Sequence, residues 1–160
     1  MKKVLFVCLG NICRSPSAQG IFEWFIERRG LSNQYIVDSA GTADYHIGKP
    51  PDTRAINACS KLEVDISDQR ARQVTILDLS QFDHIIPMDG RNHDFLNQMG
   101  TNNQHKIKPL VNYLPYNQLL GIPDPFHGNE DDFDTMVQLL LVACRHALSE
   151  IENHHVLQAS

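Results

Sequence analysis

The sequence predicts an α/β fold, a doubly wound four-stranded parallel sheet flanked by helices. Three observations predict it: a short continuous apolar run at Val4–Cys8, the alternation of such runs with segments of helical period, and a long apolar stripe of helical spacing near the C-terminus. The 160 residues fit one domain with a single sizeable core. With 42% hydrophobic and 21% charged residues, the composition is that of an ordinary globular chain.

Val4–Cys8 reads as a strand buried on both faces of a parallel sheet, and Gly10 and Asn11 break it. Ser15-Pro16 then starts a helix, with Ser15 as N-cap and Pro16 at the first helical position. Ala18, Ile21, Phe22, Phe25 and Ile26 carry the helical period, and Gly30 ends the segment. A second strand is expected at Tyr35–Ser39, ended by Ala40-Gly41. A helix around Asp52–Leu62 follows the Lys49-Pro50-Pro51 breaker, and a short helical turn follows Thr75, with Asp78 placed as in a capping box. His84–Met88 reads as the third strand, Arg91–Met99 as a helix and Lys106–Leu110 as the fourth strand. From Tyr113 to Asn129 three prolines and two glycines predict a long loop, a length that usually carries function. The final helix is marked by Phe133, Met136, Val137, Leu140, Leu141, Cys144, Ala147, Leu148 and Ile151, and the chain after Asn153 is expected to fray. In such a sheet ligands bind beyond the carboxyl ends of the strands.

The formal net charge of −5 leaves no broad basic surface for nucleic acid or an anionic membrane, so any anionic ligand must be drawn in by a local site. The opening MKKVLFVCLGN holds an apolar run too short to span a membrane. Gly10, Asn11 and Arg14 follow where a signal peptide would stay apolar, which leads to the expectation of a cytoplasmic protein. Cys8, Cys13, Cys59 and Cys144 form no CxxC pair, and a chain of this size needs no disulfide staples. Cys59 and Cys144 read as small buried hydrophobes. The eight histidines show no HExxH or zinc spacing, so neither metal nor cofactor is expected.

Between the first strand and the first helix stands Cys8-Leu9-Gly10-Asn11-Ile12-Cys13-Arg14-Ser15, a C-x5-R-S pattern. A strand feeding a helix aims successive backbone N–H groups at one point, and the helix end adds roughly half a positive charge, a ready nest for a phosphate dianion. Gly10 and Asn11 are residue types that tolerate the left-handed backbone such a curl requires. Arg14 offers a planar fork to two phosphate oxygens, which Lys cannot do. The same field favours the thiolate of Cys8, which can then attack phosphorus to form a phosphocysteine. Ser15 can donate a hydrogen bond to that sulfur. A phosphoester also needs its leaving oxygen protonated. Asp124, in the Asp124-Pro125-Phe126 stretch of the long loop, is one of many carboxyl groups able to do this.

With these residues in place, the chain resembles the low-molecular-weight protein tyrosine phosphatases. VCLGNICRSP at Val7–Pro16 is similar to that family's phosphate loop. The likeness continues through DSAGT at Asp38–Thr42, RARQ at Arg70–Gln73, FD near Phe82, MD at Met88-Asp89 and DPF-x-G at Asp124–Gly128, in order and over nearly the whole length. The resemblance implies a flavodoxin-like strand order with an N-terminal phosphate-binding loop. It also implies Cys8 as nucleophile, Arg14 as clamp, Asp124 as general acid and base, and Leu9, Gly10, Asn11, Ile12, Cys13 and Ser15 as the phosphate-binding loop. Asn11 shapes that loop with support from Ser39. Cys13 resembles the second loop cysteine, which in this family traps an oxidised Cys8 as a disulfide; packing alone is its other reading. Tyr45 and Phe126 fall where relatives place aromatic walls around a phosphotyrosine ring, with Leu9 and Ile12 completing an apolar collar. The implied partners are phosphotyrosine-bearing proteins or peptides, with inorganic phosphate as product, acted on by a monomer, with a weak dimer as the alternative.

Two positions depart from many relatives. Phe126-His127 replaces a tyrosine pair, which removes it as a site of tyrosine phosphorylation. Gln69 stands where some relatives carry a histidine that supports the loop asparagine, so that support must be arranged differently. Other functions fit less well. An arsenate reductase needs a further cysteine pair that this chain lacks. A phosphoarginine phosphatase places Thr where Ile12 stands. A phosphocysteine carrier needs no acid such as Asp124, and a non-catalytic phosphotyrosine-binding module needs no full catalytic set.

Overall fold

Strand β1 (Lys2–Cys8) runs through the centre of a parallel sheet, between β2 (Tyr35–Gly41) and β3 (His84–Pro87). The computed structural model describes residues 1–116 and 119–159, with side chains described through His154. In register, Lys2 to Cys8 of β1 lie beside Tyr35 to Gly41 of β2, while Val4 to Val7 lie beside His84 to Pro87 of β3. Because side chains alternate across a strand, the apolar run of β1 feeds two cores. Val4, Phe6 and Cys8 pack with α1 (Arg14–Arg28), α2 (Thr53–Ser60) and α5 (Glu130–Ala159). Leu5 and Val7 face α3 (Ile76–Gln81) and α4 (Gly90–Met99) through Leu79 and Leu96, together with Val74, Phe82, Ile85 and Ile107. Helices on both faces of a parallel sheet make the fold doubly wound, as the alternating pattern predicts.

Among the described residues the sheet has three strands, not the expected four. Lys106–Leu110 lies beside β3 where the fourth strand would be, but among the described residues it forms a single bridge, Ile107 to Ile85, which includes the hydrogen bond from Lys108 N–H to the Ile85 carbonyl. Pro87 lacks the N–H that would donate to the Lys108 carbonyl, and Leu110–Tyr113 turns into a 3-10 helix.

Other boundaries also differ from expectation. α1 begins at Arg14 with Cys13 as its N-cap residue, so Ser15 and Pro16 already lie in the first turn. Ser15 is not the cap because its hydroxyl turns back to the loop, and Pro16 is tolerated because first-turn N–H groups have no partner within the helix. At α3 the expected capping box forms, with Thr75 N–H donating to Asp78 Oδ2 at 2.7 Å. α5 is helical to Ala159. Cys59 on α2 and Cys144 on α5 are fully buried, as small hydrophobes would be. Among the described residues no helix is long and apolar enough to cross a membrane. The carboxyl ends of all three strands, at Cys8, Gly41 and Pro87, open on one side of the sheet.

Candidate active site

From Cys8 the chain curls through Gly41's neighbourhood before α1 begins. Asn11 takes the left-handed conformation, with φ 56°, that the curl requires; Gly10 has no positive φ. Gly10 serves differently from expectation: a Cβ there would come within 3.0 Å of the His46 ring. At Gly41 a Cβ would meet the Leu9 carbonyl oxygen at 2.8 Å and the Asn11 nitrogen at 3.2 Å, so only glycine lets β2 end this close to the loop. Thr42 and Ala43 then donate their N–H groups to the Cys8 and Leu9 carbonyls, each at 2.9 Å.

Asn11 is buried and holds the loop from within. Its Oδ1 accepts from the Arg72 N–H at 3.0 Å, which points Nδ2 at Ser15 Oγ (2.8 Å) and Ser39 Oγ (2.9 Å). Since Ser15 Oγ accepts that hydrogen bond, its own proton is free to point at Cys8 Sγ, 3.0 Å away; the Ala40 carbonyl is farther, at 3.4 Å. The Asn11 N–H donates to the same sulfur at 3.3 Å. Ser39, having accepted from Asn11, donates to Gln69 Oε1 at 3.4 Å, and Gln69 Nε2 donates to the Pro16 carbonyl at 3.0 Å. Gln69 thus braces Ser39 and the first turn of α1 together. Beneath the loop, the Arg72 guanidinium forks onto Asp78 and also reaches Asp38, tying β2 to α3.

Arg14 is almost wholly buried, and its Nη1 donates to Asp89 Oδ2 at 2.7 Å and to the Ile122 carbonyl at 2.9 Å. Its Nη2 lies 3.5 Å from Asp124 Oδ2. Burial alone would weaken the guanidinium's hold on its proton, but the neighbouring Cys8, Asp89 and Asp124 outweigh it and strengthen that hold. Asp89 is the N-cap of α4, accepting from Asn92 N–H at 2.9 Å. Burial pushes its carboxyl up, yet the Asn92 N–H and Arg14 together bring it below the usual carboxylate range. Met88-Asp89 carried no role in the sequence reading; an aspartate directly ahead of a helical segment was the signal available. Asp124 is partly exposed, and its Oδ1 accepts from the Phe126 N–H at 3.2 Å.

Cys8, Arg14 and Asp124 line one cavity of about 200 Å³ together with Leu9, Gly10, Ile12, Cys13, Tyr45 and Phe126. Asn11, Ser15 and Ser39 stand behind it. The cavity also has two histidines that the sequence did not single out, His46 and His127. The expected aromatic pair is not a simple sandwich: the His46 ring lies between Tyr45 and Phe126, 6.3 Å from each, and Tyr45 is largely exposed. Burial pushes the Cys13 thiol far up, with a smaller contribution from Asp52. Among the described residues no group of three His, Cys, Asp or Glu is placed to hold a metal ion. Chemically the cavity offers a sulfur, a guanidinium and a carboxyl group facing one small volume.

A family model described as low molecular weight phosphotyrosine protein phosphatase matches residues 3–157. The low molecular weight phosphotyrosine protein phosphatase of Sus scrofa is 38% identical, over 94% of this chain and 96% of that one. The low molecular weight protein-tyrosine-phosphatase YfkJ of Bacillus subtilis is 39% identical over 98% of this chain and its whole length. Among solved structures, a protein tyrosine phosphatase from Entamoeba histolytica superposes with a TM-score of 0.92 at 33% identity, covering 97% of this chain and 99% of that one. Its crystal holds Hepes in the active site.

Proposed function

The chain belongs to the low molecular weight phosphotyrosine protein phosphatase family, and on that premise we propose that it hydrolyses protein phosphotyrosine and small aryl phosphates through a phosphocysteine on Cys8. In the first step the Cys8 sulfur attacks phosphorus, the S–P bond forms and the P–O bond breaks. Arg14 clamps the phosphoryl oxygens as charge builds on them, and Asp124 gives its proton to the departing tyrosine oxygen. In the second step Asp124 takes a proton from water, which attacks phosphorus. The S–P bond breaks and inorganic phosphate leaves. Ser15 donates a hydrogen bond to the departing sulfur.

The observation that carries this reading is that Cys8, Arg14 and Asp124 line a single cavity. Its apolar rim of Leu9, Ile12 and Phe126 suits an aromatic ring, and a phosphoserine is too short to bridge rim and sulfur. Ile12, apolar where a phosphoarginine phosphatase carries Thr, favours the tyrosyl ester. In this reading residues 1–160 form one domain that acts as a cytoplasmic monomer on phosphotyrosine proteins, without metal or cofactor.

The test is to assay the purified protein on phosphotyrosine, phosphoserine and phosphoarginine peptides, and on arsenate with a thiol reductant. Turnover confined to phosphotyrosine supports the reading; preference for phosphoarginine, or reduction of arsenate, contradicts it.

A further inference from the structure

Asp124 lies on an irregular segment between Ile122 and α5, so the aim of its carboxyl group has to come from contacts outside regular structure. The backbone of Phe126 is gripped from two sides. Its N–H donates to Asp124 Oδ1 at 3.2 Å, and its carbonyl accepts from Arg54 Nη2 at 3.0 Å. Arg54 Nη1 reaches the Gly128 carbonyl at 3.1 Å.

Arg54 is itself held. Asp52 accepts from its Nε at 3.0 Å and from its Nη2 at 2.9 Å, and the guanidinium lies 4.4 Å from the centre of the Phe133 ring. Asp52 caps α2 through the Arg54 N–H, and its own N–H donates to the Ile12 carbonyl at 2.8 Å. An unbroken path therefore runs from the phosphate loop through Asp52 and Arg54 to the segment that carries Asp124. An isolated exposed ion pair contributes little. This guanidinium instead spends its planar fork on a carboxylate and two carbonyls at once, which an ammonium group cannot do.

We infer that Arg54 is a positioning residue, which holds the Asp124 carboxyl in line with the leaving oxygen of a substrate seated on the phosphate loop. The inference rests on the proposed role of Asp124 as general acid. Arg54 touches neither sulfur nor phosphoryl group in this arrangement, so its loss acts on proton delivery and not on phosphate capture.

The experiment measures kcat/KM on aryl phosphates graded from good to poor leaving groups, for the unaltered protein, Arg54→Met, Arg54→Lys and Asp124→Ala. Arg54→Met should lose about tenfold to a hundredfold on phenyl phosphate, the scale of a misplaced catalytic group. On p-nitrophenyl phosphate, whose leaving group needs little protonation, the loss should stay within about threefold. Inhibition by inorganic phosphate should be unchanged, and Arg54→Lys should fall between. If Asp124→Ala discriminates between leaving groups and the folded Arg54 variants do not, the positioning role is overturned and the general acid stands. If Asp124→Ala does not discriminate, the general acid falls and this role with it. Should Arg54→Met fail to fold, the leaving-group slope of Arg54→Lys decides alone.

Discussion

The Ser15 hydroxyl lies 3.0 Å from the Cys8 sulfur, and because its oxygen accepts from Asn11 Nδ2, its own proton is free to be donated there. Such a donor matters most when the sulfur departs from phosphorus. Ser15→Ala should therefore slow breakdown of the phosphoenzyme at least about tenfold, in keeping with the loss of one preorganised donor. Rapid-mixing kinetics check this: the burst of phenol release should approach one equivalent per site while the steady rate falls. An equal slowing of burst and steady rate would assign Ser15 a purely structural part.

Asp89 does two things at once, anchoring Arg14 and capping α4, and two substitutions separate them. Asp89→Asn keeps a good cap and loses the charged partner, with an expected cost of about 1–3 kcal/mol. Asp89→Ala loses the cap as well, about 1 kcal/mol more. Both should weaken phosphate inhibition. Because the Asp89 carboxyl is held below its ordinary value when folded, its contribution is complete above the usual carboxylate pKa and vanishes as pH falls through the folded value. Denaturant titrations should accordingly show a constant gap between Asp89→Asn and the unaltered protein at neutral pH, closing below about pH 4.

Gly41 ends β2 opposite Cys8, where a methyl group would press on the Leu9 carbonyl and the Asn11 nitrogen. Gly41→Ala should cost about 1–3 kcal/mol by overpacking. It should also reduce activity well beyond what that stability loss explains at low temperature, because the strain falls on the loop. Thermal melts and assays on the same sample check both.

Burial holds Cys59 and Cys144 as thiols, and burial with the Asp52 charge does the same for Cys13. Treatment with iodoacetate at neutral pH should modify Cys8 alone, with loss of activity, and inorganic phosphate should protect it. Peptide mass spectrometry reads the site; modification of Cys13 first would contradict this account of the loop.

Much of this fold is legible in the sequence because its signals are local. The apolar run of Val4–Cys8 and the stripe of α5 follow from hydrophobic patterning alone, and the C-x5-R-S spacing marks the loop between β1 and α1. The fourth strand misleads because Ile107 and Leu110 suggest a buried edge, while Pro87 on β3 and the 3-10 turn from Leu110 stop the ladder after one bridge. Ser15 looks like a cap because that residue type favours the position; its hydroxyl is claimed instead by a longer-range network through Asn11. Nothing local marks His46 or Arg54, and the place of Asp89 ahead of a helix marks a cap but not its hold on Arg14. Their parts in the site arise from contacts with residues 36 to 75 positions away along the chain, and only the folded chain brings these together.

The phosphocysteine on Cys8 is tested most directly by stopping the protein with a rapid denaturing quench during turnover of an aryl phosphate and mapping the adduct by peptide mass spectrometry. The account predicts one phosphoryl group on the peptide that carries Cys8, and neither adduct nor turnover in Cys8→Ser. A phosphoryl group on any other residue, or turnover retained by Cys8→Ser, would contradict it.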